Sequence, residues 1–102
     1  MFYFVYFDQK EGTTRDRIVK SYSKYAEYFK NKLPRFNYIG LYGRNSLLGS
    51  RPHYVAVWEF SNYSDLDEWN EAFGRDKKGQ RLARELRNLT TNWEAKVMSK
   101  LA

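Results

Sequence analysis

Phe2-Tyr3-Phe4-Val5-Tyr6-Phe7 and, further along, Tyr54-Val55-Ala56-Val57-Trp58-Glu59-Phe60 decide the fold. Side chains on a strand point alternately to opposite faces, so a run with apolar residues at both parities is a strand covered on both sides. In the first run Phe2, Phe4 and Tyr6 oppose Tyr3, Val5 and Phe7; in the second Val55 and Val57 oppose Tyr54, Ala56, Trp58 and Phe60. Between them Thr13, followed three residues later by Asp16, has the form of a helix cap, and Ile18, Tyr22, Tyr25, Phe29 and Leu33 recur at helical spacing until Pro34 ends the helix. From Phe36 to Asn45, Tyr38, Gly40 and Tyr42 alternate with Ile39, Leu41 and Gly43, and a turn over Ser46 to Pro52 closes a hairpin with the Tyr54 to Phe60 strand.

Beyond Phe60 the period returns to that of a helix. Ser64 caps an acidic first turn of Asp65, Asp67 and Glu68, and Leu66, Trp69 and Phe73 form one apolar face before Gly74. Leu82, Leu86 and Leu89 make a further helical stripe, and Trp93 to Lys100 alternates as a last strand. The order is β-α-β-β-α-(α)-β, an α+β fold of ferredoxin-like type: a four-stranded antiparallel sheet with its helices on one face, in a single domain over residues 1–102. The other face of that sheet is apolar and bare, and calls for a cover, either a second subunit or a ligand.

Composition narrows the classes. With 42% hydrophobic and 29% charged residues, neither disorder nor a membrane span is favoured, and the apolar opening is too short to cross a bilayer. The absence of cysteine removes disulfides, thiolate metal sites and Cys nucleophiles and suits a cytoplasmic protein. Nine Tyr, seven Phe and three Trp exceed what one small core needs, which assigns some of them to a pocket or an interface.

Ile39-Gly40-Leu41-Tyr42-Gly43, a turn containing Gly49, Tyr54-Val55-Ala56-Val57-Trp58-Glu59-Phe60, Asp65-Leu66 and Trp69 together resemble the dimeric α/β-barrel superfamily, most of all its NIPSNAP-type and antibiotic-biosynthesis-monooxygenase-type branches. The resemblance spans nearly the whole chain by element order, and by residue pattern only Trp58-Glu59-Phe60 and the helix that follows. It implies a homodimer whose sheets meet face to face in an α/β barrel, each subunit keeping a small cavity between sheet and helices. Members include cofactor-independent monooxygenases, haem-degrading enzymes, isomerases, cyclases and proteins of unknown activity, so the fold alone does not deliver a function. The haem-degrading branch uses a helical His as axial ligand; both helices after the third strand lack one, which disfavours haem, and no cofactor is expected.

Candidate site residues follow from chemistry. His53, the sole histidine, is the natural catalytic acid or base near neutral pH, although a His after Arg51-Pro52 is more commonly a partly exposed strand-end residue. Tyr38, Tyr42 and Arg44 share one parity and, with His53 and Glu59, supply polar groups for an aromatic or carboxylated small molecule, Tyr42 hydrogen-bonding it and Arg44 holding an anionic group; packing or dimer contact is the commoner role for such tyrosines. Trp58 has the opposite parity and joins them only where a β-bulge exchanges the faces. One His and scattered carboxylates make no metal site, and Asp65, Asp67, Glu68 and Glu71 suit a helix N-terminus instead. The glycines lack phosphate-loop spacing, and no nucleophile triad has a signature.

Nucleic acid is the rival partner, because the net charge is +6 and an aromatic ferredoxin-like sheet is also the plan of an RNA-recognition module. The stacking places on its third strand hold Val55 and Val57 here, and the excess charge lies mainly on the first helix and its flanks, where eight Lys/Arg face four Asp/Glu over residues 8–35. The expectation is therefore a cytoplasmic homodimer that binds a small aromatic or apolar molecule, with cofactor-independent monooxygenation or proton transfer as the enzymatic version, a dimerising module without chemistry as the alternative, and nucleic acid disfavoured.

Overall fold

The structure, a computed structural model, describes residues 1–45 and 51–102. Ser46 to Ser50, and with them Gly49 and most of the expected turn, lie outside the described residues. The elements are β1 (Phe2–Gln9), α1 (Arg15–Lys32), β2 (Asn37–Gly43), β3 (Tyr54–Glu59), α2 (Tyr63–Arg75), α3 (Lys77–Leu89) and β4 (Thr90–Met98). The sheet runs β2-β3-β1-β4 and every pairing is antiparallel, the expected ferredoxin-like arrangement.

The two apolar runs sit side by side at its centre. β1 is hydrogen-bonded along both edges, Phe4 standing opposite Val57 on one side and Lys96 on the other. Tyr3, Val5 and Phe7 from β1 and Tyr54, Ala56 and Trp58 from β3 face the helices, where they join Ile18, Tyr22, Ala26 and Phe29 of α1 and Leu86 of α3 in one core. Phe2, Phe4, Tyr6, Val55 and Val57 take the other parity and lie on the face that this chain's own helices leave bare, together with Met98, Lys96 and Glu94 of β4.

Two irregularities set which side chains reach which face. In β2 the register slips between Tyr38, opposite Trp58, and Gly40, opposite Val57, so Ile39 is an extra residue. Tyr38 therefore faces the helices and Tyr42, opposite Val55, faces the bare side; the shared parity expected for Tyr38 and Tyr42 is broken by this bulge. In β4 a second slip lies between Glu94, opposite Tyr6, and Thr91, opposite Asp8; Asn92 there adopts φ 57° and donates from its amide to Asp8 at 3.0 Å.

The helix starts differ from the expected ones by one or two residues. Thr14, not Thr13, caps α1, its Oγ1 accepting from Arg17 N–H at 3.3 Å. Asn62, not Ser64, caps α2 in a reciprocal box with Asp65, each side chain accepting a backbone N–H of the other. The α2 helix continues past Gly74 to Arg75, and Asp76 then caps α3: its carboxylate accepts from Gly79 N–H at 2.9 Å, from Tyr28 Oη at 2.7 Å and from Lys32 Nζ at 3.1 Å, a set that lowers its pKa to about 2. The last strand begins at Thr90, directly off α3, so Trp93, Ala95 and Val97 face the helices as their alternation predicts.

At Gly79 the backbone of α3 packs directly against the Phe29 ring of α1. A β-carbon there would collide with the ring of Phe29, which is buried in the core and has no room to yield. Gly79→Ala is expected to destabilise the fold by about 1–3 kcal/mol of overpacking, outweighing the ~1 kcal/mol of helix propensity that alanine brings. Denaturant midpoints of Gly79→Ala, Phe29→Leu and the double variant check this: the double variant should lose less than the sum of the singles, and strict additivity would refute the contact.

Candidate binding cavity

Large rings on both layers leave a space between them. A cavity of about 420 Å³ opens between the helix-facing side of β1, β3 and β4 and the inner faces of all three helices. The sheet contributes Tyr3, Val5, Trp58, Trp93 and Ala95; α1 contributes Tyr22 and Tyr25; α2 contributes Trp69, Asn70 and Phe73; α3 contributes Ala83, Leu86 and Arg87. The volume lies within the range of small-molecule sites, which are commonly apolar with a few polar groups at fixed places.

The rings are held in place by one another. Trp58, buried on β3, lies 4.9 Å from Tyr38 and 5.4 Å from Phe36 and meets Tyr25 edge-on at 6.5 Å. Its indole N–H donates to the Tyr22 hydroxyl at 2.8 Å, joining sheet to α1 in the deepest part of the wall. Trp93 stacks on Phe7 at 4.5 Å, donates from its indole to Thr90 Oγ1 at 2.8 Å, and carries the Arg87 guanidinium 5.7 Å from its ring centre.

The phenols are protonated at neutral pH. Burial pushes the pKa of Tyr3, Tyr22 and Tyr25 up; the neighbouring phenols add to this at Tyr22 and Tyr25, and the positive charge of Arg87 offsets part of it at Tyr3 and Tyr25. The cavity thus presents hydroxyl donors, an amide and a guanidinium on an aromatic wall.

Of the residues singled out from sequence, Trp58 lines this cavity and Tyr38 packs directly behind it against Tyr22 and Trp58. The others lie elsewhere. Tyr42, 55% exposed, is on the bare sheet face, and Glu59 ends β3 opposite Phe2 and Asn37, beside a groove with Arg35 and Asn62. His53 and Arg44 do come together, in a shallow groove with Gln9, Thr13 and Arg15 that shares no residue with the cavity. There His53 Nδ1 accepts the Gln9 backbone N–H at 2.8 Å, which places the ring proton on Nε2 and leaves no free imidazole lone pair. Its backbone N–H donates to Asp8 at 2.9 Å, and Asp8 also accepts from Arg51 at 2.6 Å. Burial pushes the Asp8 carboxyl up, but these donors and the Asn92 amide outweigh it and hold the pKa below the ordinary carboxylate value. The geometry around His53 is that of a strand-end anchor.

Tyr3, Tyr22, Tyr25, Asn70 and Arg87 were not among the sequence candidates. The signal that marks Tyr22 and Tyr25 is the use of Tyr at helical core positions where Leu would pack as well, since each buried phenol brings a hydroxyl that needs a partner; Tyr3, Asn70 and Arg87 carry no such local mark.

No family model matches the chain, and no curated protein matches it. Solved structures do. A NIPSNAP family protein of unknown function from Agrobacterium tumefaciens is 23% identical over 96% of this chain and 86% of its own, with a TM-score of 0.69. An uncharacterised NIPSNAP domain protein from Burkholderia xenovorans is 14% identical over 100% of this chain and 98% of its own, at 0.72. A dimeric protein of unknown function with a ferredoxin-like fold from Bacteroides fragilis is 12% identical over 92% and 89%, at 0.65. These likenesses show a shared ferredoxin-like fold, and NIPSNAP proteins, one of the two branches the sequence resembles, are among those that share it.

Tyr22→Phe would leave the Trp58 indole N–H buried without its acceptor, at an expected cost of about 1–3 kcal/mol. Chemical unfolding followed by far-UV circular dichroism checks this: Trp58→Phe combined with Tyr22→Phe should be less damaging than the two singles added together. An unchanged midpoint for Tyr22→Phe would show that the bond carries no stability.

Proposed function

We propose that this protein is a cytosolic homodimer that binds a small aromatic or apolar molecule in the cavity between its sheet and helices. The observation that carries this reading is the cavity itself, about 420 Å³ walled by Trp58, Trp69, Trp93, Tyr22 and Tyr25, in a chain whose aromatic content exceeds the demand of its core. For chemistry on a bound molecule the wall offers proton donors and no free base, since the phenols are held protonated and His53 stands outside with its Nδ1 engaged. Binding therefore fits the cavity better than proton abstraction by His53.

The homodimer is supported by the bare face. Phe2, Phe4, Tyr6, Tyr42, Val55 and Met98 share it around the buried Val57, an apolar surface of the kind that a monomer rarely leaves in water. The dimeric state of the Bacteroides fragilis protein with the same fold points the same way. Among the described residues no helix is long and apolar enough to cross a membrane.

Two experiments test the reading. Filling the cavity with Ala83→Trp should abolish binding of small aromatic alcohols and amides detected by calorimetry on the native chain, while the variant keeps the native circular dichroism; binding that survives would place the ligand elsewhere. Light scattering at several protein concentrations should give twice the chain mass, and Phe4→Glu, which puts a carboxylate in place of a ring in the middle of the bare face, should give a folded monomer. A Phe4→Glu protein that stays dimeric would remove this face from the interface.

A further inference from the structure

The hydrogen-bonding groups on the cavity wall are unbalanced. The Tyr22 oxygen accepts from Trp58, which leaves its own proton to be donated, and among the described residues no protein group accepts the hydroxyl protons of Tyr3, Tyr22 or Tyr25. Arg87 stands at the mouth, exposed, one position past the buried Leu86 of α3, with its guanidinium laid over Trp93. It is the one Lys or Arg among the residues lining the cavity, and among the described residues no carboxylate lies within ion-pairing distance of it. Its guanidinium borders the cavity, and its charge reaches the Tyr3 and Tyr25 phenols. Glu94, the one acidic residue bordering the cavity, has the parity of the opposite face of the sheet, where its carboxylate lies 3.4 Å from Lys96 and the Lys96 ammonium sits over the Tyr6 ring.

Resting on the binding reading above, we propose that the cavity takes an aromatic or apolar carboxylate, with Arg87 holding the carboxylate at the mouth and the rings of Trp69, Phe73 and Trp58 enclosing the apolar body. A neutral ligand without acceptors would leave the donors unmet, and a cation would meet like charge with no anion to offset it. A carboxylate supplies both what the guanidinium and the phenols lack: two acceptor oxygens matching the planar fork of Arg, and a charge that gains from the low dielectric of the aromatic wall. The cation–π contact with Trp93 holds the guanidinium beside the cavity, so less conformational freedom is lost when the anion arrives. One Arg with no second cation on the wall suits the single charge of a carboxylate rather than a phosphate dianion.

The test is calorimetric titration of the whole chain at pH 7 with 1-naphthoate and with its neutral isostere 1-naphthalenemethanol. Naphthoate is expected to bind tighter by on the order of tenfold or more, a preference that high salt reduces. Arg87→Met keeps the stem over Trp93 and should narrow the ratio to about threefold or less, and Arg87→Gln should do the same if the Met variant proves unstable. Equal affinities in the native chain, or a carboxylate preference that survives both variants, would overturn the assignment to Arg87 while the cavity reading stands. Binding of neither probe would overturn the cavity reading and this proposal with it.

Discussion

The rest of the structure depends on a strand that is hydrogen-bonded on both edges and apolar on both faces. β1 occupies that place, with β3 and β4 pairing its backbone and Phe2 to Phe7 filling both sides. Because two successive side chains cannot point the same way, one set must meet the helices and the other must meet something the chain does not itself supply. The helix layer, the core and the bare face are all consequences of that alternation. The helices cover one side, and α1 and α3 meet there at a glycine, Gly79, where a β-carbon would collide with Phe29.

The choice of residue in that core determines what it can do beyond holding together. Leucine layers interdigitate and close; wide flat rings with hydroxyl or indole tips cannot close fully when several meet at one level, and their polar tips demand partners. Between Tyr22, Tyr25, Trp58, Trp69 and Trp93 a space remains, and only part of the demand is met inside the protein, through the Trp58 to Tyr22 and Trp93 to Thr90 bonds. The cavity and its unanswered donors have one origin, the substitution of aromatic amphiphiles for aliphatic packing.

How far the site could be read in advance varied by residue, for physical reasons. Trp58 was reachable only through a β-bulge that exchanges the faces, and the slip at Ile39 sets Tyr38 opposite Trp58. Tyr38 and Tyr42 looked equivalent, four residues apart on an alternating stretch, yet one extra residue at Ile39 sends them to opposite faces, and a bulge of that kind leaves no trace in composition. His53 drew attention through its chemistry, which says nothing of whether its lone pair is free; the Gln9 backbone that occupies it lies 44 positions away in the chain. Arg87 was hidden among the six basic residues of the 63–92 stretch, since what distinguishes it is its place on the cavity wall beside Trp93.

The sequence by itself determined the element order, the antiparallel ferredoxin-like sheet and the need to cover a second apolar face, because these follow from periodicities of two and 3.6 that every residue in a run reports together. Helix starts came within two residues, the error arising because Thr13 and Thr14, or Asn62 and Ser64, offer the same capping oxygen and only the backbone path selects between them. Tertiary structure alone decided which side chains share a cavity, since register slips, ring orientations and the distance between a guanidinium and a carboxylate depend on residues far apart in the chain that no local pattern relates.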